Sequence, residues 1–328
     1  MLATSFLVIM IGFIVSVTLA IIIIPILRKF KASQSLSVYL ERTHQSKVGT
    51  PTMGGLIFII PPILITALLI IFKKINITYN LIIVMFTFIS YALIGFIDDF
   101  LIIKKRNNKG LSVNQKFFLE LIVAVIFFYL FMKGGNEPLL WIQTFNIKYN
   151  IGFIYGIVIL IILVSSSNAV NITDGLDGLA GGLSVIAFIV ISTIVFNTEW
   201  LEGYREIAIL GFTIVGSLLG FLMFNSSPAK IFMGDTGSLC LGATLGCISI
   251  LTRHELLLII IGIVFVFETI TCILQIGFYK LTHKRLFPIT PIHHTFEKLG
   301  YKEKEIVKMF WMIGVIGGII SLIFSIFL

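Results

Sequence analysis

The aspartates of this chain lie in three short polar segments between apolar runs. Asp98 and Asp99 are adjacent, Asp174 and Asp177 are three residues apart, and Asp235 stands within Gly-Asp-Thr-Gly-Ser. A carboxylate beside membrane-depth sequence is costly unless it binds a cation or a polar ligand. Carboxylate oxygens select Mg²⁺ or Mn²⁺, and Mg²⁺ typically takes one or two carboxylates plus substrate phosphates. The pattern therefore predicts metal-assisted phosphoryl transfer at a membrane surface.

The polar segment at residues 168–182 carries an amide or a carboxylate at every third position, Asn168, Asn171, Asp174 and Asp177. Positions three and four apart share a helix face, so a helical or nearly helical segment would gather these groups into a narrow stripe. Two carboxylates in such a stripe are first expected to be metal ligands. The segment matches neither a calcium loop nor a glycine-rich nucleotide turn.

The other aspartates, Asp235 and the pair Asp98–Asp99, can each be compared with a purely structural role. Asp235 is well placed to cap the helix that follows it. Adjacent acids at the end of an apolar run fit a plain helix end poorly, because negative charge at a helix C-terminus opposes the helix dipole. Asp98 and Asp99 therefore favour a metal-binding or catalytic role. Near the second run, Lys47 and Thr52 could hold an anion at a helix start.

A long basic loop before the last apolar run contains His293 and His294 after Pro288 and Pro291. Prolines at this spacing are expected to stop a helix and to present the histidines in an irregular conformation. A histidine pair alone more often makes surface hydrogen bonds than a ligand site. The many basic residues in the same loop favour binding of a phosphorylated substrate.

The elements that must position these segments are membrane helices. The 328-residue chain is 58% hydrophobic and 12% charged, with a mean hydropathy of +1.07, whereas about a quarter of the residues of a soluble domain are charged. We predict a single-domain (1–328), all-α polytopic membrane protein with about ten transmembrane helices and a weakly indicated hairpin over 139–151. The expected spans are 5–27, 53–72, 79–97, 117–132, 152–167, 179–196, 207–224, 236–251, 256–279 and 308–328.

Charge distribution predicts the topology. Most of the 24 lysines and arginines fall in the odd-numbered loops between spans, which places these loops in the cytoplasm and both termini outside. All the aspartates and four of the five histidines lie in or beside the same loops, although the positive-inside rule does not require this. The active site is therefore expected on the cytoplasmic face. Topology also explains the net charge of +8, so no nucleic-acid partner is expected.

Five motifs carry a family resemblance along nearly the whole chain. They are Gly-Thr-Pro-Thr-Met-Gly-Gly at 49–55, Gly-Phe-Ile-Asp-Asp at 95–99, Asn-Ala-Val-Asn-Ile-Thr-Asp-Gly-Leu-Asp-Gly-Leu at 168–179, Phe-Met-Gly-Asp-Thr-Gly-Ser at 232–238 and Pro-Ile-His-His-Thr-Phe-Glu at 291–297. Together they resemble the polyprenyl-phosphate N-acetylhexosamine-1-phosphate transferases. The first and last motifs look like the peptidoglycan branch, the phospho-N-acetylmuramoyl-pentapeptide transferases.

The resemblance implies an activity and its partners. A member of this branch transfers phospho-MurNAc-pentapeptide from UDP-MurNAc-pentapeptide to undecaprenyl phosphate, giving lipid I and UMP in peptidoglycan synthesis. The implied cofactor is Mg²⁺, with Mn²⁺ as the alternative. The implied location is the lipid bilayer of the bacterial cytoplasmic membrane, and a homodimer is left open.

The resemblance also implies residue roles. Asp98 and Asp99 match the catalytic pair, and Asp235 matches the metal ligand and joins the catalytic group. Positions matching the uridine pocket, or surrounding it and the phosphates, are Lys47, Thr52, Lys116, Asn168, Asn171, Asp174, Asp177, Asn225, Phe232, Gln275, His293 and His294. Because residues 168–182 contain no Lys or Arg, this segment is then expected to face a neutral uracil and ribose.

Two departures and several alternatives remain at this level. Thr295 stands where the family commonly has a third histidine, and Ile102 stands where it often has a lysine, which Lys104 or Lys105 could replace.

The expected mechanism is direct attack of the lipid phosphate on the β-phosphate, with Asp98 as base or orienting group. The rival is a covalent aspartyl intermediate. The alternative functions are a sister transferase using UDP-GlcNAc and, further away, a proton-coupled transporter.

Overall fold

The computed structural model describes residues 2–30, 49–105, 110–142 and 147–327, so Lys47 lies outside the described residues. The described part is mainly helical, with one antiparallel hairpin that pairs Trp141 with Lys148 and confirms the weak hairpin signal. The elements are α1 (Leu2–Lys29), α2 (Gly55–Ile71), α3 (Tyr79–Lys105), α4 (Val113–Lys133), β1 (Leu139–Ile142), β2 (Ile147–Asn150), α5 (Tyr155–Thr173), α6 (Leu179–Phe196), α7 (Tyr204–Asn225), α8 (Gly234–Leu251), α9 (Glu255–Ile261), α10 (Ile263–Thr282), α11 (Ile292–Lys298) and α12 (Glu303–Phe327).

Among the described residues, nine helices are long and apolar enough to cross a membrane. The remaining predicted span is α2, an apolar helix of 17 residues, which is roughly 26 Å long at 1.5 Å per residue. A polytopic helical membrane protein is thus confirmed. The prediction of one continuous span over 256–279 is wrong, because the helix is interrupted at Gly262, between α9 and α10. Glycine has the lowest helix propensity of the residues other than proline.

Helix α8 is the most buried of the spans and packs against both α3 and α5. Its sequence is rich in Gly, Ala, Ser, Thr and Cys, and small residues allow helix backbones to approach closely in a membrane. A Cβ at Gly242 would collide with the Ser166 carbonyl oxygen of α5. A Cβ at Gly95 of α3 would collide with the Asp235 carbonyl oxygen at the start of α8. This close approach brings the 95–99 and 232–238 motifs together.

All the polar motifs lie at one end of the helix bundle, which we call the motif end. Asp99 of α3 contacts the start of α8, Asn171 of α5 contacts Asp235, and Asn225 of α7 contacts the start of α6. The start of α12 reaches the same end, since Glu303 accepts a hydrogen bond from the backbone N–H of Asp177. The described helices therefore alternate in direction around one polar cluster.

The close approach of α3 and α8 can be tested with Gly95→Ala. The added methyl group would meet a backbone carbonyl that cannot move without shifting α8, and overpacking of this kind costs about 1–3 kcal/mol. We expect a lower thermal unfolding midpoint of the purified protein together with reduced activity. The matched control is Gly277→Ala on α10, where a Cβ meets nothing within 4 Å. Equal midpoints for the two variants would contradict the proposed contact.

Candidate active site

The N-terminus of α8 is capped by an acid from another helix. The Asp99 carboxylate of α3 accepts hydrogen bonds from the backbone N–H groups of Asp235 and Thr236, at 3.2 and 2.9 Å, and from the Thr236 hydroxyl at 2.6 Å. The Asp99 side chain is fully buried. The expectation that Asp235 caps α8 is wrong, because Asp235 lies inside the first turn of α8. The residue that precedes the helix is Met233, which makes no side-chain capping hydrogen bond.

Asp235 is instead held by two other helices. Its Oδ2 accepts from the Lys116 ammonium of α4 at 2.8 Å, and its Oδ1 accepts from the Asn171 amide of α5 at 2.7 Å. The same Asn171 amide donates to the Ser238 hydroxyl at 2.8 Å. Lys116 and Asp235 are both partly exposed. Side chains from α4 and α5 therefore converge on one accessible carboxylate. This carboxylate belongs to the first turn of α8, at the positive end of the helix dipole.

Asp98 borders this carboxylate. Its Oδ1 accepts the backbone N–H of Leu111 at 2.7 Å, and its carboxyl group is a close neighbour of Asp235. Gly110 packs directly against the Asp98 carboxyl group, and a Cβ there would lie 2.5 Å from Oδ2. Asp98 and Asp235 thus face one another, whereas Asp99 points into the helix terminus.

The Asp98 and Asp235 pair is the place where a cation could bind. Two facing carboxyl groups repel each other unless a proton or a cation lies between them, and a hard cation such as Mg²⁺ needs only one or two carboxylates when substrate phosphates complete its shell. The described residues contain no group of three or more His, Cys, Asp or Glu side chains arranged for a metal. Two carboxylates fit a metal ion whose remaining ligands include phosphate oxygens of a substrate.

The first motif forms a wall beside α8. Phe232 is half-buried, and its backbone pairs with this motif, since Phe232 N–H donates to the Pro51 carbonyl and the Phe232 carbonyl accepts from Gly54 N–H. Thr52 is fully buried, and its hydroxyl lies beside Gly234 and makes no hydrogen bond to the described residues. The predicted residues Thr52 and Phe232 are therefore next to the carboxylates.

The segment at residues 168–182 is only partly helical. Helix α5 ends at Thr173, Asp174 follows it half-buried, and a turn over 174–178 leads into α6. The predicted continuous stripe is therefore broken after Asn171. Asp177 is buried in the turn, and its carboxylate accepts the Ala229 N–H at 2.9 Å.

Asn225 joins the 174–178 turn to the loop before α8. Its side-chain oxygen accepts the Gly178 N–H at 3.1 Å, and its side-chain amide donates to the Ile231 carbonyl at 3.0 Å. The side chain is almost fully buried. Asn225 therefore connects two backbone segments that border the site.

A buried acid that the sequence analysis missed lies below Lys116. Glu120 of α4 is 2% exposed and accepts from Ser167 Oγ at 3.2 Å and from the Asn168 amide at 3.4 Å, both on α5. It follows Lys116 by one helical turn, so both project from one face of α4. The available signal was a single acid inside an apolar run, which marks a functional position by default.

A second missed acid lies on α10. Glu268 and His293 are both fully buried, with Glu268 Oε1 3.1 Å from His293 Nδ1. Burial lowers the pKa of His293, and Glu268 opposes this shift. A Cβ at Gly175 would collide with His293 Nε2, so His293 packs against the 174–178 turn. The expected irregular conformation is wrong, since His293 and His294 lie on the short helix α11.

The remaining predicted residues border a cavity of about 610 Å³. Gln275 and His294 line it, and the His294 Nδ1 lies 2.6 Å from Glu297 Oε2. Thr295, at the position of the missing third histidine, is buried and holds the backbone of Ile289 through its hydroxyl. Gln275 and His294 therefore line a cavity whose described lining residues include none of the predicted aspartates.

Comparisons with known proteins show the family of this chain. The family model described as glycosyl transferase family 4 matches residues 81–253, which include Asp98, Asp99 and Asp235. A phospho-N-acetylmuramoyl-pentapeptide-transferase of Geobacillus sp. (strain WCH70) is 41% identical over 308 residues, covering 94% of each chain. That of Bacillus subtilis (strain 168) is 40% identical over 320 residues, covering 98% of this chain and 97% of the relative.

The chain belongs to the phospho-N-acetylmuramoyl-pentapeptide-transferase family, within glycosyl transferase family 4. It is therefore a transferase that acts on a phospho-sugar. Ile102 stands where the family often has a lysine, and the proposal that Lys104 or Lys105 replaces it stays a prediction. Lys116 contacts Asp235 from α4.

The two adjacent aspartates should respond differently to substitution. Asp99→Asn removes the charge and one accepting oxygen from a fully buried side chain, and a hydrogen bond to a charged group contributes about 1.5–3 kcal/mol, so we expect a clearly lower unfolding midpoint. Asp98→Asn should leave the midpoint unchanged and lower kcat by about 100-fold or more, the usual contribution of a positioned acid or base. Thermal unfolding and initial rates, measured on both variants, check this. A loss of kcat without loss of stability in Asp99→Asn would show that its role is chemical.

Proposed function

We propose that this protein transfers phospho-MurNAc-pentapeptide from UDP-MurNAc-pentapeptide to undecaprenyl phosphate, forming lipid I and UMP. The observation that carries the proposal is the convergence of Lys116, Asn171 and Asp98 on Asp235, in a chain about 40% identical over nearly its whole length to transferases named for this reaction. A lipid substrate requires a membrane site, and a diphosphate requires cations and N–H donors.

The proposed cofactor is Mg²⁺, with Mn²⁺ as the alternative, held by Asp235 beside Asp98. When bound, such an ion neutralises charge on the diphosphate and on the leaving UMP. Lys116 provides a fixed positive charge at the same carboxylate. The α8 N-terminus adds a positive dipole end where negative charge develops.

The proposed chemistry is direct displacement. A phosphate oxygen of the lipid attacks the β-phosphorus of the UDP-sugar, and the bond to the UMP oxygen breaks. Asp98 orients the lipid phosphate or takes its proton, since Asp98 lies within reach of Asp235 and is not enclosed in the helix terminus. Asp99 positions Asp235 through the backbone of α8. A covalent route would need an accessible aspartate. Asp99 is unsuited to it, because its side chain is buried and accepts three hydrogen bonds.

The motif end is proposed to face the cytoplasm of a bacterium, with both termini outside. Lysines and arginines flank this end on several helices, including Arg28, Lys104, Lys116 and Lys280, and positive-inside retention accounts for such a distribution. This side is also where a soluble nucleotide-sugar substrate would arrive. A transporter would instead be expected to bury its carboxylates at mid-span.

The substrate assignment can be tested with purified protein, Mg²⁺ and undecaprenyl phosphate, supplied with UDP-MurNAc-pentapeptide or UDP-GlcNAc in turn. We expect UMP release and a lipid-linked product only with the first. The Asp98→Asn variant serves as the inactive control for contaminating activity. Turnover of UDP-GlcNAc alone would support the sister transferase, and no UMP from either donor would refute the proposal.

The 174–178 turn is proposed to form the nucleoside wall. Asp174→Asn should then raise KM for the UDP-sugar far more than it lowers kcat, because Asp174 lies half-buried at the surface of the turn. Asp177→Asn should mainly lower thermal stability, because Asp177 accepts a backbone N–H from the neighbouring loop. Steady-state kinetics and unfolding of both variants decide the point. A pure loss of kcat in Asp174→Asn would indicate a metal or catalytic role for this residue.

A further inference from the structure

The cavity beside α11 has a size and a position that the reaction centre does not explain. Its volume of about 610 Å³ lies in the range of sites that bind a whole small-molecule ligand. One wall is a face of α10 that includes Gln275 and Lys280, and the other is the chain from Arg285 to His294. His293, next to His294, packs against the 174–178 turn. The cavity is thus one side-chain layer away from the proposed nucleoside wall.

The cavity walls are fixed before any ligand binds. Gln275 Oε1 accepts the backbone N–H groups of Leu286 and Phe287, at 3.1 and 2.9 Å. The Thr295 hydroxyl holds Ile289 at both its N–H and its carbonyl. A preformed site binds without having to order a loop at that moment.

The lining of the cavity favours an anionic ligand with apolar parts. Lys280 and Arg285 are exposed at it, and no acidic residue is among its described lining residues. The Arg285 guanidinium donates from Nη1 to the Pro288 carbonyl at 3.2 Å. Ile276, Tyr279 and Pro288 add apolar surface. A guanidinium fork matches a carboxylate in bidentate geometry.

We propose that this cavity binds the peptide of the sugar-peptide substrate, and that Arg285, assisted by Lys280, binds the terminal carboxylate of that peptide; this rests on the proposed function. A pentapeptide attached to a muramoyl group through its amino end finishes in a free carboxylate. The transferred group extends from the β-phosphate away from the nucleoside, so it needs a surface other than the 174–178 turn. The cavity provides one with the required charge.

A hydrocarbon chain is the less suitable occupant. A separate groove of about 400 Å³ between α5, α8, α9 and α10 is lined mainly by apolar side chains such as Val158, Leu258 and Phe265. Apolar ligands gain from apolar walls, whereas Lys280 and Arg285 would be left without a partner by a polyprenyl chain. The charge of the cavity beside α11 therefore favours the peptide.

The test combines a protein variant with a substrate variant. Arg285→Ala should raise KM for UDP-MurNAc-pentapeptide about tenfold with little change in kcat, the size expected for one charged hydrogen-bond partner. The substrate with its terminal carboxylate converted to an amide should show a similar rise with wild-type protein. It should show no further rise with Arg285→Ala, because both changes remove the same contact. The matched control is Lys284→Ala, which removes an equal charge from an exposed neighbour that does not line the cavity.

Each other outcome identifies a different occupant. If Arg285→Ala raises KM equally for UDP-MurNAc-pentapeptide and for a UDP-MurNAc donor that lacks the peptide, the diphosphate occupies the cavity. If Arg285→Ala raises KM for undecaprenyl phosphate, the lipid headgroup occupies it. Equal effects of Lys284→Ala and Arg285→Ala would reduce the role to general electrostatics. Each of these results would overturn the proposal. Calorimetric binding of the acid and amide substrates to wild-type protein needs no turnover, so it separates failure of this proposal from failure of the proposed reaction.

Discussion

The site depends on one buried contact, the Asp99 carboxylate at the N-terminus of α8. A carboxylate with no exposure is stable only when hydrogen-bond donors replace its water, and here two backbone N–H groups and one hydroxyl do so at the positive end of a helix. Because Asp98 precedes Asp99 on the same helix, this contact also fixes the neighbouring carboxylate. The two adjacent acids thus have different surroundings, with Asp99 anchoring the helix terminus and Asp98 facing Asp235.

The orientation of Asp235 follows from three helices that meet there. Lys116 from α4 and Asn171 from α5 each bind one of its oxygens, so neither helix can rotate without breaking a charge-assisted contact. Glu120 joins α4 to α5 one turn further along. A partly buried acid is held in one rotamer in this way, which is the preorganisation that electrostatic catalysis requires.

The apolar runs, the motif positions and the weak hairpin could be predicted because each depends on local composition and periodicity. The cap at α8 could not, since Asp99 and Thr236 are 137 residues apart and only the packing of α3 on α8 joins them. The helix at His293 was missed because prolines favour an irregular chain locally. Glu120 and Glu268 were overlooked among apolar neighbours, although a lone acid in a membrane span is itself a signal.

The burial of Asp177 and Asn225 changes how a nucleoside would be recognised. Asp177 accepts a backbone N–H from the loop before α8, and Asn225 bonds backbone groups of the turn and of that loop, so both side chains help to shape the 174–178 turn. His293 also packs against this turn, and Glu268 Oε1 lies 3.1 Å from His293 Nδ1. In the proposed role of this turn, a nucleoside would meet Asp174 together with main-chain groups of a fixed turn. Backbone groups held in this way discriminate by geometry, because an ill-fitting ligand would leave them unpaired.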